Sequence, residues 1–210
     1  MSLHDDRKEY QFDQLDDGAK SLNPMVLFKE WLESYRQTGA ADATAFALST
    51  VGEDGLPDAR IVLLKDVMDG ALVFYTHYTS KKGRDLAHRP KAHALFFWRE
   101  MERQIRISGS VIKVSEEKSD AYFHSRPPGS QRGAMASNQS KAVSSRAEME
   151  TKFQALAEVP DEALHRPAGW GGYALQIERI EFWQGRPSRM HDRIAFTLKD
   201  HRWDAQRLEP

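Results

Sequence analysis

Arg189-Met-His-Asp-Arg193 sets two guanidiniums and an imidazole at every second position. On a strand, alternate side chains share a face, so Arg189, His191 and Arg193 project together while Met190 and Asp192 point the other way. Cationic groups gathered in this way repel one another unless an anion or an electron-rich ring lies among them. The segment is therefore a candidate binding site for such a ligand, the plainer alternative being a solvated edge strand with ordinary charges. Tyr122 and Arg126 stand four apart on a predicted helix, and Ser130 follows a Pro-Pro-Gly turn able to fold back toward them. A phenol, a guanidinium and a hydroxyl each donate to a phosphate oxygen, although an arginine resting on helix-end carbonyls explains Arg126 equally well. Arg60-Ile-Val-Leu-Leu-Lys65 carries a charge at each end of an apolar strand. Their odd separation aims the two at opposite faces, so one flat site using both needs a bulge or a ligand that wraps the strand. Ser80-Lys81-Lys82 opens a short helix, where free backbone N–H groups and two ammonium groups lie close together.

Other chemistries are excluded. The chain of 210 residues has no cysteine, so thiolate nucleophiles, disulfides and cysteine-ligated metals are ruled out. Eight histidines are scattered without metal-ligand spacing, and no metal is expected. There is no glycine-rich nucleotide loop and no G-x-S-x-G nucleophile elbow; Gly169-Trp-Gly-Gly172 reads as a bend entering a strand. Thirty Lys+Arg against 31 Asp+Glu leave a formal charge of −1, which argues against nucleic-acid or acidic-membrane partners and makes any anion site local. No stretch approaches the roughly 18 apolar residues of a membrane span, and the polar start lacks a signal-peptide core. A cytoplasmic protein is the expectation.

The elements that must position these residues follow from periodicity. Residues 1–22 are polar, with Asp5, Asp6, Asp13, Asp16 and Asp17, and read as a mobile arm. Asn23 and Pro24 start a helix whose Leu27, Phe28, Trp31, Leu32 and Tyr35 recur at helical spacing before Gly39. Thr44–Val51, Ala59–Val67 and Ala71–Thr76 read as strands in two hairpins, followed by a helix over Ser80–His88 and strands over Ala92–Trp98 and Gln104–Val114. A helix opening at Ser115 ends near Pro127-Pro128. A capping box at Ser145-Arg-Ala-Glu148 opens another, with Met149, Phe153, Leu156 and Val159 as its apolar stripe. Tyr173–Trp183, Arg189–Leu198 and Arg202–Leu208 are further strands. Strands with so few intervening helices favour an antiparallel β-barrel with peripheral helices, a mainly β, α+β architecture in one domain over 23–210.

Taken together, Arg60-Ile-Val-Leu-Leu-Lys65, Phe74-Tyr-Thr76, Glu102-Arg-Gln104, Tyr122-Phe-His-Ser-Arg-Pro127, Ser137-Asn-Gln-Ser140 and Glu181-Phe-Trp-Gln-Gly185 followed by Arg189-Met-His-Asp-Arg193 resemble the pyridoxamine/pyridoxine 5′-phosphate oxidase family. The likeness runs from Arg7 to the C-terminal Arg207-Leu-Glu-Pro210. It implies a split β-barrel of Greek-key-like antiparallel strands that binds flavin mononucleotide (FMN), and a homodimer with FMN at the interface. The implied reaction oxidises pyridoxamine or pyridoxine 5′-phosphate to pyridoxal 5′-phosphate with O2, yielding H2O2. Position by position, the resemblance assigns FMN contacts to Arg60, Ile61, Val62, Leu63, Leu64, Lys65, Tyr75, Thr76, Lys81, Lys82, Gln104, Gln139, Ser140, Trp183 and Arg193. Substrate contacts fall on Lys65, Tyr122, Arg126 and Ser130 around the phosphate and on Arg189, Met190 and His191 beside the pyridine ring. Arg189 and His191 are the catalytic pair, aligning the substrate's C4′ carbon for hydride transfer and assisting removal of the amine or alcohol proton. Arg7, Lys8, Glu9 and Tyr10 match a segment that folds over the substrate, giving the arm a lid function. Lys81 stands where relatives commonly carry Arg, which keeps the charge and loses a bidentate contact.

Overall fold

The computed structural model describes residues 4, 8–68 and 70–210. Nine strands are joined antiparallel: β1 (Ala45–Val51), β2 (Pro57–Leu63), β3 (Asp66–Met68), β4 (Ala71–His77), β5 (Lys91–Trp98), β6 (Arg103–Lys113), β7 (Trp170–Gln184), β8 (Asp192–Lys199) and β9 (Arg202–Arg207). Five helices surround them: α1 (Pro24–Gln37), α2 (Lys81–His88), α3 (Glu116–Ser125), α4 (Pro128–Ala136) and α5 (Arg146–Gln154). The expected mainly β, α+β architecture is present.

The sheet runs β2-β1-β5-β6-β7-β4-β3, with β8 on β7 and β9 on β8. Its two ends, β2 and β3, are joined in sequence by Leu64 and Lys65 alone. Leu64 N–H reaches the Thr44 carbonyl, and Lys65 N–H reaches that of Val73. The chain crosses the seam of the barrel at these two residues. The apolar run Ala59–Val67 is therefore two strands, not one. Phe46, Phe74, Phe96, Phe182 and Phe196 fill the interior, and α1 closes it: Asn23 accepts from Met25 N–H to cap the helix, and Phe28 and Trp31 meet Phe96 and Phe182 edge on.

β7 is shared. Its Trp170–Gln176 stretch pairs with β4 and its Arg179–Gln184 stretch with β8, while β6 follows its other edge throughout. Where the partner changes, the β6 register slips between Ser108 and Gly109. A Cβ on Gly109 would stand 1.7 Å from the Gln176 carbonyl oxygen, so glycine alone permits this bulge.

Three further expectations are corrected. The arm over 1–22 is docked from Lys8 onward: Glu102 accepts from Gln11 N–H (2.7 Å) and Phe12 N–H (2.9 Å) and pairs with Lys8. Asp13 pairs with Arg103, Asp17 with Arg207, and Leu15 and Ala19 are buried. These partners lie 90 residues or more away in sequence, beyond the reach of local composition. The Pro-Pro-Gly segment is the first turn of α4 instead of a loop, because Pro128 at the first helical position needs no N–H partner. The stripe on α5 faces outward, with Met149 and Phe153 exposed and Leu156 and Val159 beyond the helix end; Ser145 caps it, but the Glu148 carboxylate turns to Ser144 and Lys152.

Gly109→Ala is expected to cost about 3 kcal/mol through backbone overlap, against about 1 kcal/mol for Gly39→Ala, where only the left-handed backbone resists; paired denaturant melts measure the difference. Glu102→Ala removes the acceptor for Gln11 and Phe12, and limited proteolysis with mass analysis is expected to show new cleavage N-terminal to Asp17.

Candidate active site

A cavity of about 650 Å³ opens where β2, β4, α3, α4 and the start of β7 meet. Its cations are Lys65 from the barrel seam, Lys82 from the first turn of α2 and Arg126 from the C-terminal end of α3; among the described residues no carboxylate lines it. Ser80 caps α2 by accepting from Gly83 N–H, which sets Lys82 inward and buried. Among the described residues the Lys82 ammonium donates to two neutral oxygens, Thr76 Oγ1 and Gln139 Oε1, each at 3.3 Å, with Asp58 acting on it from farther off. Arg126 is held by its backbone, whose carbonyl accepts from Gln131 Nε2, and its buried Nη1 has no acceptor among the described residues. Tyr122 and Ser130 share the lining.

One wall is aromatic. Tyr75 and Tyr122 stack with ring centres 3.9 Å apart, Tyr75 lies over Trp170 at 5.5 Å, and the Arg126 guanidinium sits 4.9 Å above Trp170. A Cβ on Gly172 would strike the Tyr75 ring at 2.8 Å, so glycine at 172 leaves the space that ring occupies, while Gly171 makes room for the Tyr78 hydroxyl. The Gly169-Trp-Gly-Gly172 motif enters β7 as expected, and its Trp170 lines the cavity.

The electrostatics of the cavity favour an anion. Burial pushes Lys82 below its ordinary value, and Arg60 adds to this. Burial also lowers Arg126. His77, which the sequence did not mark and which lines the same cavity, is lowered by burial and then by Lys82 and Arg126. Tyr75 is raised to about 12, chiefly by burial. Cations held in a low-dielectric pocket with no carboxylate on its described lining gain most from a ligand carrying concentrated negative charge.

A second cluster stands at the other end of β7. Across the register, Gln104 pairs with Trp183 and Trp183 with Arg193, so the three form one row over β6, β7 and β8. His191 lies 4.6 Å from the Trp183 ring, and Tyr10 closes on both at 5.7 Å. The His191 Nδ1 accepts from Arg186 N–H at 3.1 Å, which leaves Nε2 as the proton-bearing nitrogen of the neutral ring. Its basicity is lowered by burial and by Arg189, with Glu9 opposing. Arg189 does not lie on a strand. It ends a short turn in which Ser188 and Arg189 are both left-handed, at φ 54° and 63°, and Glu9 accepts from Ser188 N–H at 2.5 Å. The expected strand over Arg189–Leu198 begins only at Asp192, so Arg189, His191 and Arg193 do not share a face by alternation.

The assigned residues therefore fall into two groups. Ile61, Val62, Leu63, Lys65, Tyr75, Thr76, Lys82, Tyr122, Arg126, Ser130 and Gln139 line the cavity. Lys8, Glu9, Tyr10, Gln104, Trp183, Arg189, Met190, His191 and Arg193 lie toward the far end of β7, with Met190 exposed. Trp170 and Trp183 are separated by about 40 Å of strand contour at about 3.3 Å per residue. Four residues join neither group: Leu64 is buried in the core, Arg60 donates to Leu48, Thr50 and Asp58, Lys81 pairs with Asp85, and Ser140 lines a neighbouring cavity of about 430 Å³. Arg7 lies outside the described residues.

Comparison with known proteins accords with this geometry. Residues 33–160 match the family model described as pyridoxamine 5′-phosphate oxidase, and residues 170–210 match that of the pyridoxine 5′-phosphate oxidase C-terminal dimerisation region. A pyridoxine/pyridoxamine 5′-phosphate oxidase of Hydrogenovibrio crunogenus is 47% identical, over 99% of this chain and 97% of that protein. One from Cytophaga hutchinsonii is 48% identical, over 100% and 99%. Among solved structures, PhzG from Burkholderia lata, in complex with tetrahydrophenazine-1-carboxylic acid, superposes with a TM-score of 0.87 at 29% identity, covering 94% of this chain and 98% of that one. With a family model spanning more than half its length and relatives matched from end to end, the chain belongs to the pyridoxamine 5′-phosphate oxidase family.

Proposed function

We propose that this protein is an FMN-dependent oxidase that converts pyridoxamine 5′-phosphate and pyridoxine 5′-phosphate to pyridoxal 5′-phosphate, each site being built from two copies of the chain. The observation that carries the reading is the carboxylate-free cavity with three cations and a stacked aromatic wall. It suits a phosphate monoester attached to a flat ring. Family membership and the names of the relatives support the same reaction.

The donor set fits FMN. Lys82, Thr76 and Gln139 form a hydrogen-bonded patch beside the apolar strand Ile61–Leu63, suited to a phosphate and to a ring edge. Lys65, Tyr122, Arg126 and Ser130 supply a second phosphate-sized set of donors, assigned to the substrate. FMN, when bound, supplies the two-electron acceptor that takes a hydride from the substrate's C4′ carbon and passes the electrons to O2, giving H2O2.

The remaining residues belong to the far end of β7. The C-terminal dimerisation match contains Trp183, Arg189, His191 and Arg193, so a second copy is the natural source of these groups at the cavity. Arg189 offers a fixed cation toward the substrate ring. His191 offers the Nε2 hydrogen, because Nδ1 is occupied by the Arg186 N–H; it therefore orients the substrate as a donor and does not take up the substrate's proton at that nitrogen. Tyr10 covers Trp183 and His191 and excludes water from that side.

PhzG's similarity makes a flavin oxidase with a different, carboxylate-bearing substrate the second reading. One assay separates them: purified protein reconstituted with FMN is given pyridoxine 5′-phosphate in air, and pyridoxal 5′-phosphate and H2O2 are followed. Flavin-loaded protein that forms neither product overturns the proposal. Lys82→Ala is expected to weaken FMN binding about tenfold or more. Arg189→Ala is expected to retain FMN while turnover falls about 100-fold; the reverse pattern would show the two groups exchanged.

His191 also sets a pH dependence. Its folded-state value lies below the ordinary 6.5, so the unfolded chain binds the proton more readily and the neutral ring's contribution is lost as pH falls. Protonation places hydrogen on Nδ1, against the Arg186 N–H. The rate of flavin reduction is expected to show an acid limb with a midpoint below about 6.5, and His191→Asn, which keeps a donor but does not titrate, is expected to remove that limb.

A further inference from the structure

Glu181 is a carboxylate on β7, only 2% exposed, with three arginines around it. Its two oxygens are treated differently. Oε1 accepts from Arg193 twice, from Nε at 2.9 Å and from Nη2 at 2.8 Å. Oε2 faces Arg106 at 3.4 Å and Arg179 at 3.7 Å, looser contacts from β6 and from β7 itself. The side-on pair with Arg193 is the tight one.

Arg193 is fixed from a second direction. Its Nη1 donates to the Glu209 carbonyl at 2.8 Å, and its own carbonyl accepts from Leu208 N–H, so the last residues of the chain lie along it. Of the five N–H donors of a guanidinium, three are thus engaged, by Glu181 and by Glu209. The two that remain are one on each Nη. Neither has an acceptor among the described residues, and the side chain keeps 23% of its surface exposed on the same row as Trp183 and Gln104.

We infer that Glu181 and the C-terminal Glu209 carbonyl are positioning groups that present the free edge of Arg193 to the flavin. This rests on the FMN reading above, in which Arg193 is a flavin contact. An arginine on a flexible stem loses rotamer freedom when it binds; one already gripped on two edges has lost it on folding, and its remaining N–H pair is preorganised for an electron-rich ring edge. Glu181 also offsets part of the repulsion among Arg106, Arg179 and Arg193, which would otherwise turn the guanidiniums away from one another. Its role lies in the direction of a hydrogen bond, and it need not touch the ligand.

The test is a double-mutant comparison of FMN affinity, read by flavin fluorescence on the full chain. E181Q keeps the size and loses the charge, and is expected to weaken FMN binding at least about tenfold in the wild-type background. In an Arg193→Ala background the same change is expected to alter FMN affinity less than twofold, because the group through which it acts is gone. Equal losses in both backgrounds, or no loss in either, overturn the inference. Should E181Q fail to fold, a chain ending at Leu208 removes the second anchor without opening the buried site and is judged by the same comparison. The position of the bound flavin's long-wavelength absorption band is expected to move with E181Q and with Arg193→Ala by the same amount, which a general loss of stability would not produce. Wild-type protein that binds no FMN defeats the flavin reading itself, whereas wild-type binding with an unaffected E181Q defeats only the inference.

Discussion

The whole arrangement depends on one strand dividing its edge. β7 gives its first half to β4 and its second half to β8, and the exchange is possible because Gly109 lets the facing strand slip by a residue without striking the Gln176 carbonyl. A flat continuous pairing would leave either the barrel or the C-terminal hairpin without a partner edge. The division also sets the distance between the two groups of candidate site residues. Trp170 at one end of β7 belongs to the cavity wall, and Trp183 near the other belongs to the row with Gln104 and Arg193.

That distance gives the dimer a chemical reason. The cavity alone holds cations, donors and an aromatic wall, but it lacks the Arg189 and His191 pair. The far cluster holds that pair, and the cavity near it at His93, Arg106 and Glu181 is only about 100 Å³. On the proposed reading, a homodimer whose copies meet in an isologous contact would exchange these complements reciprocally. The proposed reaction thus draws its binding energy from one chain and its alignment from the other.

Much of this was legible in the sequence where local rules govern. The Asn23-Pro24 start of α1, the Ser80 and Ser115 caps and the hairpin alternation of β1 and β2 follow from single-residue chemistry, and the structure places them as expected. Tyr122, Arg126 and Ser130 follow from helical spacing and the Pro-Pro-Gly segment, whereas the other motif residues on the cavity wall come from family resemblance, since nothing in the spacing of Lys65, Lys82 and Arg126 says that they meet. What local rules missed is long-range or backbone-borne. Asp13 and Asp17 look like a solvated acidic run until Arg103 and Arg207 are brought to them. Arg189 looks like a strand residue because no glycine announces the left-handed turn at Ser188 and Arg189. His77 carries no signal beyond its place after Tyr75-Thr76, and Trp170 carries only the glycines that follow it.

The turn at Ser188 and Arg189 is where fold energy and chemistry meet. Two consecutive non-glycine residues in the left-handed region cost of the order of 1–3 kcal/mol each, and such a conformation persists only when its surroundings over-determine it. Here the surroundings are specific: Glu9 accepts the Ser188 N–H, Arg186 N–H is spent on His191, and Tyr10 packs against Gly185, where a side chain on residue 185 would strike its ring. Glu9 and Tyr10 belong to the N-terminal segment that Glu102 ties down through Lys8, Gln11 and Phe12. Segment and turn are therefore coupled, because releasing the segment removes the Glu9 contact that offsets the strain at Arg189. On the proposed reading, a lid that only shielded the site would leave this turn unchanged on opening, whereas a segment whose Glu9 holds the turn couples water exclusion to the placement of Arg189 and His191.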